Sequence, residues 1–288
     1  MPGMSYRSVF RPGLFAGQTV VVTGAGSGIG RCTAHELASL GAHVVLVGRT
    51  VAKLEAVTAE MRADGGEASH HACDIRDEDA VKATVAAVMA AHGRIHGLVN
   101  NAGGQFPAEL AGISAKGWQA VIANNLTGGF LMARECYNQC MRDHGGAIVN
   151  MLADMWNGMP GMGHSGAARA GMLNFTETAA AEWAPVRVNA VAPGWIASSG
   201  MDTYPEAMQP LIKSLPRHVP AQRMGTEAEV SAAIVFLLSD GAAFVSGACL
   251  RIDGAAPNAR RHWKIASTQP SAEFDGFHRS RKPRIFGG

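Results

Sequence analysis

The segment that decides the fold is residues 19–30, TVVVTGAGSGIG, a short apolar run that leads directly into a glycine cluster. Val20, Val21 and Val22 predict a buried strand, and a helix-period pattern begins near Ile29. Glycines between a strand and a helix permit a tight turn and let a ligand approach the backbone closely. The free N–H groups at the start of the helix would then face a phosphate group, together with the positive end of the helix dipole. The segment therefore predicts a strand–turn–helix unit that binds the pyrophosphate of a dinucleotide.

Apolar runs and helix-period segments alternate along the rest of the chain. Further strands are predicted near residues 43–47, 68–72, 97–100, 147–151, 187–192 and 249–253, and helices near 29–40, 52–62, 77–92, 117–143, 165–183 and 227–239. Strands rich in Val, Ile and Leu without alternation are typical of a sheet that helices cover on both faces. Repeated βα units imply right-handed crossovers between parallel strands. The predicted fold is a single α/β domain with a doubly wound, Rossmann-type parallel sheet of about seven strands.

Composition excludes several classes of protein. The chain has 288 residues, 17% of them charged, with a formal net charge of +2 and a mean hydropathy of +0.05. A near-neutral chain lacks the summed positive field that nucleic-acid binding uses. No window approaches the roughly 18 uninterrupted apolar residues of a membrane span, and no N-terminal apolar run is long enough for a signal peptide. The five cysteines indicate neither a disulfide framework nor a metal site, since they form no C-x-x-C pair and no cluster with histidine. We therefore expect a cytoplasmic protein that binds a small-molecule substrate and binds neither nucleic acid nor a membrane.

The two ends of the chain lie outside the alternating pattern. Residues 1–16 form a short N-terminal extension, 17–256 the Rossmann domain, and 257–288 a C-terminal tail. The tail carries seven Lys or Arg against Glu273 and Asp275, a net charge of +5 that leaves −3 for the rest of the chain. We favour a solvated or subunit-wrapping extension over a polyanion site. Its scattered aromatic residues predict that it docks on a surface: Trp263, Phe274, Phe277 and Phe286.

Five segments in chain order resemble the motifs of the short-chain dehydrogenase/reductase family. They are the spacing Gly24-x3-Gly28-x-Gly30, Cys73-Asp74-Ile75, Asn100-Asn101-Ala102-Gly103, Asn124-Asn125-Leu126-Thr127-Gly128 and Pro193-Gly194-Trp195-Ile196. The resemblance covers about residues 16–256, and it implies a nicotinamide-dependent oxidoreductase and a homo-oligomer, commonly a tetramer. It also implies these cofactor-binding residues: Gly24, Ser27, Gly28, Ile29, Gly30, Asp74, Ile75, Asn101, Ala102, Gly103, Arg169, Pro193, Gly194 and Ile196.

The choice between NAD and NADP depends on the end of the second predicted strand. An acidic side chain there would accept a hydrogen bond from the ribose 2′-OH, whereas a cation would bind a 2′-phosphate. Residues 47–50 read VGRT, so the acidic position is empty, Arg49 follows it, and Lys53 comes one helical turn later. Charge-assisted contact from Arg49 favours NADP(H) as the cofactor. The alternative is that Arg49 is a solvated loop residue.

The catalytic segment departs from the family pattern. Most members carry Tyr-x-x-x-Lys on the helix after the fifth strand and a Ser about 13 residues earlier. Here Ser165 occupies the Tyr position, Arg169 the Lys position, and Leu152 or Ala153 the Ser position. A Ser hydroxyl is a far weaker acid than a Tyr phenol, and Arg stays protonated, so ordinary alcohol or ketone chemistry is disfavoured. Arg169 could still hold a fixed positive charge beneath the nicotinamide ribose.

Residues 164–171, HSGAARAG, together with 100–106, NNAGGQF, closely resemble the peroxisomal trans-2-enoyl-CoA reductases. They resemble less closely the 2,4-dienoyl-CoA reductases, in which a Ser also occupies the Tyr position. This resemblance implies reduction of a C=C bond conjugated to an acyl-CoA thioester. Gln105 lies where the dienoyl reductases carry an Asn that binds the thioester oxygen, and Ser165 offers a hydroxyl. Hydride transfer to the β-carbon leaves an enolate, which such neutral donors can stabilise.

Asn125 and Asp154 complete the candidate catalytic set of Gln105, Asn125, Asp154, Ser165 and Arg169. The family pattern implies that Asn125 holds a water in a helix kink, although it could simply bond backbone carbonyls. Asp154 lies where the dienoyl reductases carry a Tyr. An ionised Asp154 would repel an enolate. If Asp154 were protonated in an apolar pocket, it could donate the proton that the α-carbon of the substrate takes up. Otherwise it is a solvated or salt-bridged Asp. His164, next to Ser165, is interpreted as a histidine without a ligand role.

Two other functions stay open. One is oxidation or reduction of an aldehyde, an alcohol such as a terpenoid alcohol, or a 3-oxoacyl substrate, with a non-standard acid. The other is a catalytically silent protein that binds NADP. Complete cofactor motifs together with altered catalytic residues would fit such a protein.

Overall fold

Seven parallel strands form one sheet. They are β1 (Thr19–Thr23), β2 (His43–Gly48), β3 (Glu67–Ala72), β4 (Gly97–Asn100), β5 (Ala147–Met151), β6 (Arg187–Pro193) and β7 (Cys249–Ile252). Their order across the sheet is β3-β2-β1-β4-β5-β6-β7, so the winding direction reverses between β1 and β4. The computed structural model describes residues 5–259 and 269–287. The predicted doubly wound sheet is confirmed.

Helices cover both faces of this sheet. They are α1 (Gly28–Ser39), α2 (Val51–Ala63), α3 (Glu78–His92), α4 (Ala115–Ile122), α5 (Gly128–Cys136), α6 (Arg142–His144), α7 (Gly163–Glu182), α8 (Gln209–Ser214) and α9 (Glu227–Leu238). Successive residues of β1 point to opposite faces: Val20 and Val22 pack into one apolar core with α1 and α9, and Val21 packs into the other with α3 and α5. Burial on both faces is the reason why the central strands are uniformly apolar.

β3 is an exception to that apolar composition. Its sequence is EASHHA and most of its residues are partly exposed, because it lies at the edge of the sheet and pairs only with β2. Hydrophobic content alone would not have identified this strand; its position after α2 in the βα alternation did.

The long helix predicted near residues 117–143 is divided. Helices α4, α5 and α6 follow one another, joined by π-helical turns at Ala123–Thr127 and Tyr137–Met141. A π turn adds a residue to the helical turn and often occurs at functional sites. The first one contains Asn125. Gly128 follows it because a Cβ there would lie 2.6 Å from the Ile75 side chain.

Two segments outside the sheet matter for the site. Residues 199–218, which we call the flap, contain 3₁₀ turns around α8 and were not predicted from sequence. Residues 269–287 of the tail pack on the domain, where Phe277 is only 2% exposed. The predicted tail residues Arg260, Arg261, Trp263 and Lys264 lie outside the described residues. No helix in the described part of the chain is both long and apolar enough to cross a membrane.

Candidate active site

The glycine turn has the geometry that its sequence predicts. Gly24 and Gly28 have φ of +66° and +57°, values that L-residues with a side chain rarely adopt. Gly30 lies on the first turn of α1, where an added Cβ would overlap the Asn101 amide and come 2.5 Å from the Gly24 carbonyl. A side chain at Gly24 or Gly30 would therefore collide with Asn101 or with the turn itself, so that the turn could not close in this form. A turn of this shape at the N-terminus of α1 fits the phosphates of a dinucleotide.

Thr23 ties this turn to the end of β4. Its Oγ1 accepts hydrogen bonds from the N–H groups of Asn101 and Ala102, each at 3.0 Å, and the Asn101 amide donates to the Thr23 carbonyl at 3.0 Å. The two strands that flank the reversal in winding are thereby linked at their carboxyl ends. In open α/β sheets the ligand crevice opens at this point.

A cavity of about 310 Å³ opens there. It brings together ten of the predicted cofactor residues: Gly24, Ser27, Ile29, Arg49, Lys53, Asp74, Ile75, Asn101, Ala102 and Gly103. Arg49 and Lys53 are exposed on its wall. The cavity therefore has a cationic side, as the choice of NADP(H) requires.

Asp74 is held by a partner that the sequence did not reveal. Arg76 donates to both Asp74 carboxylate oxygens, with distances from 2.5 to 3.1 Å. These bonds lower the pKa of Asp74 to about 2, so the carboxyl group is ionised at neutral pH. A basic residue two positions after an acidic residue is only weak evidence for an ion pair, because most such pairs are solvated.

A second cavity of about 630 Å³ adjoins the first, with Ile29, Asn101, Gly103 and Ser198 lining both. Its predicted residues are Gln105, Arg169, Pro193, Gly194 and Ile196. The flap closes one side of it with Met201, Tyr204 and Pro205, and Phe106 and Trp195 add aromatic surface. None of these five was predicted as a site residue, and the flap carries no motif or sustained period from which its place beside the cavity could be predicted.

Ser165 reaches this cavity only through Gln105. The Ser165 side chain is fully buried, and its hydroxyl donates to Gln105 Oε1 at 2.6 Å. Gln105 itself is exposed and lines the cavity. Because its oxygen is engaged, the orientation of the amide is fixed and its NH₂ group is left to donate. Ser165 therefore acts as a support for Gln105 rather than as a group that faces a substrate.

Arg169 places a buried positive charge where the two cavities meet. Its Nη1 donates to the Met151 carbonyl at 2.5 Å, and its Nη2 lies so near Gly103 that an added Cβ would be 2.6 Å away. Burial lowers the pKa of Arg169 to about 10, which still leaves it protonated at neutral pH. Its Nε has no hydrogen-bond partner in the described part of the chain. A buried cation with an unfilled donor is suited to hold a polar ligand.

Asn125 fixes the loop that carries Gln105. Its Oδ1 accepts from the Gly104 N–H at 2.8 Å, and its Nδ2 donates to the Gly104 carbonyl at 3.0 Å. Both ends of the amide are thus bonded to one residue. This arrangement favours the interpretation that Asn125 forms hydrogen bonds with backbone groups.

Asp154 and His164 lie apart from these residues. Asp154 does not line the second cavity; its N–H bonds to the Pro193 carbonyl, and it lies near Arg251 and Asp253. Burial, with a contribution from Asp253, raises its pKa. His164 is fully buried with its ring edge-on to Phe106, 4.5 Å between centroids, and neither ring nitrogen has a partner among the described residues.

Metal and disulfide chemistry have no support in the described residues. No group of three or more His, Cys, Asp or Glu side chains in residues 5–259 and 269–287 is placed to hold a metal ion. All five cysteines are free, and four of them are buried.

Comparison with known proteins adds to this geometry. A family model described as Enoyl-(Acyl carrier protein) reductase matches residues 24–255. The probable 2,4-dienoyl-CoA reductase of Bacillus subtilis is 34% identical, over 82% of this chain and 95% of its own. The 3-oxoacyl-[acyl-carrier-protein] reductase of Synechocystis is 37% identical, over 82% of this chain and 96% of its own.

Two solved structures show the same fold. The citronellol catabolism dehydrogenase (AtuB) of Pseudomonas aeruginosa PAO1 is 65% identical, covers 87% of this chain and 99% of its own, and has a TM-score of 0.79. The second is a protein of Beutenbergia cavernae that is named as an NAD(P)-dependent gluconate 5-dehydrogenase and was solved with NADP. It is 32% identical, covers 86% of this chain and 100% of its own, and has a TM-score of 0.80. With a family match that spans the glycine turn and the strands from β2 to β7, we conclude that the chain is an oxidoreductase of the short-chain dehydrogenase/reductase family.

Proposed function

We propose that the protein is an NADP(H)-dependent oxidoreductase that reduces the C=C bond of an α,β-unsaturated acyl-CoA or a similar enone. The observation that carries this proposal is the pair formed by Gln105 and Arg169 in one cavity. Neither is an acid suited to protonate a ketone oxygen, but each presents donors to an oxygen that gains negative charge. The names of relatives that are 2,4-dienoyl-CoA reductases support the same substrate class.

The residues of this chain would divide the chemistry as follows. Bound NADPH supplies the hydride. Delivery to the β-carbon of the substrate moves the electron pair of the C=C bond toward the thioester oxygen and produces an enolate. The Gln105 amide, oriented by Ser165, donates to that oxygen, and Arg169 holds the cofactor ribose and adds positive charge. The α-carbon then takes a proton; Asp154, which directly follows Ala153 of the cavity wall and has a raised pKa, is the candidate donor.

The cofactor assignment rests on charge at the first cavity. Arg49 and Lys53 line it, and no acidic residue occupies the end of β2. We expect Arg49→Asp to weaken NADPH binding far more than NADH binding, measured by fluorescence titration. Equal losses for the two cofactors would contradict the assignment.

The substrate proposal is tested by the absorbance decay of NADPH with a panel of substrates. The panel contains 2-enoyl-CoA, 2,4-dienoyl-CoA, 3-oxoacyl-CoA, an enone and an aldehyde. We expect turnover with the conjugated C=C substrates. Rapid oxidation of NADPH with 3-oxoacyl-CoA or simple aldehydes, and none with 2-enoyl-CoA, would refute the proposal. Tight NADPH binding without turnover of any member would favour a catalytically silent protein.

A second candidate function is oxidation of a terpenoid alcohol or reduction of its aldehyde. It is favoured by the 65% identity to a protein named as a citronellol catabolism dehydrogenase. Citronellol with NADP⁺ is the direct test, because the alcohol has no conjugated C=C bond. NADP⁺ reduction by citronellol, with no activity toward enoyl thioesters, would select this function over the first.

We also propose that the protein works in the cytoplasm as a homotetramer, as family resemblance implies. Several large apolar side chains are exposed in the described part of the chain, among them Phe244, Leu110 and Leu211. Their exposure would be reduced by subunit contacts. Sedimentation velocity should show a tetramer, and a monomer at micromolar concentration would contradict the proposal.

A further inference from the structure

Residues 269–287 of the C-terminal tail run back across the domain and are anchored at two places, one at the C-terminal end of α2 and one on the flap. At one anchor, Phe277 packs on Tyr6 and Arg279 bonds to Asp64 at the end of α2, with distances of 2.8 and 2.5 Å. At the other anchor, the Arg284 N–H donates to the Asp202 carboxylate in the flap at 3.0 Å. We call residues 271–287 the strap.

The second anchor also has an apolar part. Ile285 and Phe286 pack against Met201, Ile212 and Leu215, and Pro283 is buried. Residues 280–282 therefore span the gap between two fixed points. All three residues are exposed.

Arg281 lies in this span and lines a cavity of about 250 Å³ beside the glycine turn. The same cavity is lined by Gly26, Ser27 and Lys53, which also line the cofactor cavity that contains Arg49. The strap thus brings a third cation to the side of the turn where Arg49 and Lys53 already lie.

Arg281 differs from the neighbouring cations of the strap because it forms no ion pair in the described part of the chain. Arg279 pairs with Asp64, Lys282 lies 3.9 Å from Glu273, and Arg284 lies 3.9 Å from Asp202. Arg281 has no carboxylate or hydrogen-bond partner among residues 5–259 and 269–287.

The other charged residues of this cavity do not cancel that charge. Arg31 and Glu60 pair with each other at 2.8 Å. Glu227 is buried, at 7% exposure, and burial raises its pKa to about 7, so that it is partly protonated at neutral pH. An anion of the size of a phosphate would therefore meet an excess of positive charge between the turn and the start of α2.

We propose that Arg281 is a cofactor-binding residue that contacts the adenosine 2′-phosphate of NADP(H), together with Arg49 and Lys53. This inference rests on the proposed function, since it takes NADP(H) as the cofactor. Its consequence is that the specificity for the phosphate is shared between the domain and the tail.

The test compares Arg281→Ala with Lys282→Ala in the full-length protein. Lys282 is the matched control, because it carries the same charge one residue later and does not line the cavity beside the glycine turn. Dissociation constants for NADPH and NADH are measured by fluorescence titration. We expect Arg281→Ala to raise the Kd of NADPH about tenfold, the effect of losing one charge-assisted contact, and that of NADH less than about twofold. Arg281→Lys should retain most of the affinity, and Lys282→Ala should change neither constant by more than about twofold.

Two results would overturn the inference. One is an unchanged Kd for NADPH in Arg281→Ala, and the other is an equal loss for NADPH and NADH, which would place Arg281 on the pyrophosphate or give it a structural role. The wild-type ratio of the two constants tests the cofactor assignment separately: a wild-type protein that binds NADH as tightly as NADPH refutes NADP(H) itself. An unchanged thermal midpoint of Arg281→Ala excludes misfolding as the cause of a loss.

Discussion

Gln105 is the side chain on which the proposed chemistry depends most directly. We expect Gln105→Ala to lower kcat by about 100-fold, because one preorganised donor to an oxyanion contributes about 10²–10³ in rate. Ser165→Ala should lower kcat less, by about tenfold, since Ser165 orients Gln105 through a single hydrogen bond. Steady-state kinetics with the preferred 2-enoyl-CoA measure both effects.

Gln119→Ala provides the control for these variants, because Gln119 is an exposed glutamine on α4 that does not line the cavity. The Kd for NADPH should be the same in all three variants. An unchanged kcat in Gln105→Ala, or a larger loss in Ser165→Ala than in Gln105→Ala, would contradict the assigned roles.

Glu227 makes stability depend on pH. Burial raises its pKa to about 7 from 4.5, with Arg31 opposing the shift. The native state therefore binds more protons than the unfolded state between these two values, and the free energy of unfolding falls as the pH rises through this range. We expect Glu227→Gln to be more stable than the wild type at pH 8, by about 3 kcal/mol at most, and not at pH 4.5.

Urea unfolding at the two pH values measures this difference. Glu55→Gln, which changes an exposed Glu on α2, should show no such pH dependence. Equal stability of the wild type and Glu227→Gln at pH 8 would contradict this prediction. It would mean that ionisation of the Glu227 carboxyl group does not destabilise the folded state.

At the same scale, sequence reasoning succeeds where the backbone alone decides. The roles of Gly24 and Gly28 follow from turn geometry, and the spacing of the motif is enough to find them. It is incomplete where a role depends on a distant partner. The sequence left Asp154 either an acid or a solvated or salt-bridged carboxylate, and its surroundings include Arg251 and Asp253, which are about 100 residues later in the chain.

Among the elements, β4, β5 and α7 are joined by a buried polar chain. Asn100 donates to Asn150 Oδ1, and Asn150 donates to Thr176 Oγ1, both at 2.9 Å. We expect Asn150→Ala to lower the free energy of unfolding by about 2 kcal/mol, because Asn100 and Thr176, both buried, each lose one of their hydrogen bonds. Denaturant unfolding measures the loss.

Asn138→Ala is the matched control for that variant, because Asn138 makes one exposed hydrogen bond with Arg142. Its effect should stay within about 0.5 kcal/mol. Equal losses in the two variants would mean that the buried chain contributes no more than a surface contact.

The elements that were predicted well share a physical cause. β4 and β5 were predicted at their observed bounds because they are short apolar runs bounded by Gly and Asn. The helix pattern over residues 117–143 showed no break, and only the family resemblance implied a kink at Asn125; in the structure the π turn at Ala123–Thr127 contains Asn125, which bonds to Gly104. The flap was missed because residues 199–218 combine short turns with no sustained period.

The near-neutral net charge of the chain conceals a basic tail, of which residues 269–287 lie against the domain. Phe277 holds it there, since it is 2% exposed and packs beside Tyr6, His35 and the Arg31 guanidinium. We expect Phe277→Ala to destabilise the protein by about 3 kcal/mol, the usual cost of removing a buried aromatic ring. Denaturant unfolding measures this value.

The same variant should make Cys32 accessible. Cys32 is fully buried in the cluster that Phe277 completes. Thiol labelling followed by mass spectrometry should show faster modification of Cys32 and no change at Cys136, which is buried in the core beneath the sheet. Equal labelling of the two cysteines in the variant would indicate global unfolding instead of loss of the tail contact.

The place of the strap in the chain affects what relatives can reveal. The family match ends at residue 255, whereas Arg281 comes 26 residues later. Two proteins could share every domain residue and still differ in the nucleotide that they prefer, because that preference is partly encoded in a segment outside the shared region. Exchange of tails between such proteins would then transfer cofactor preference without any change in the domain.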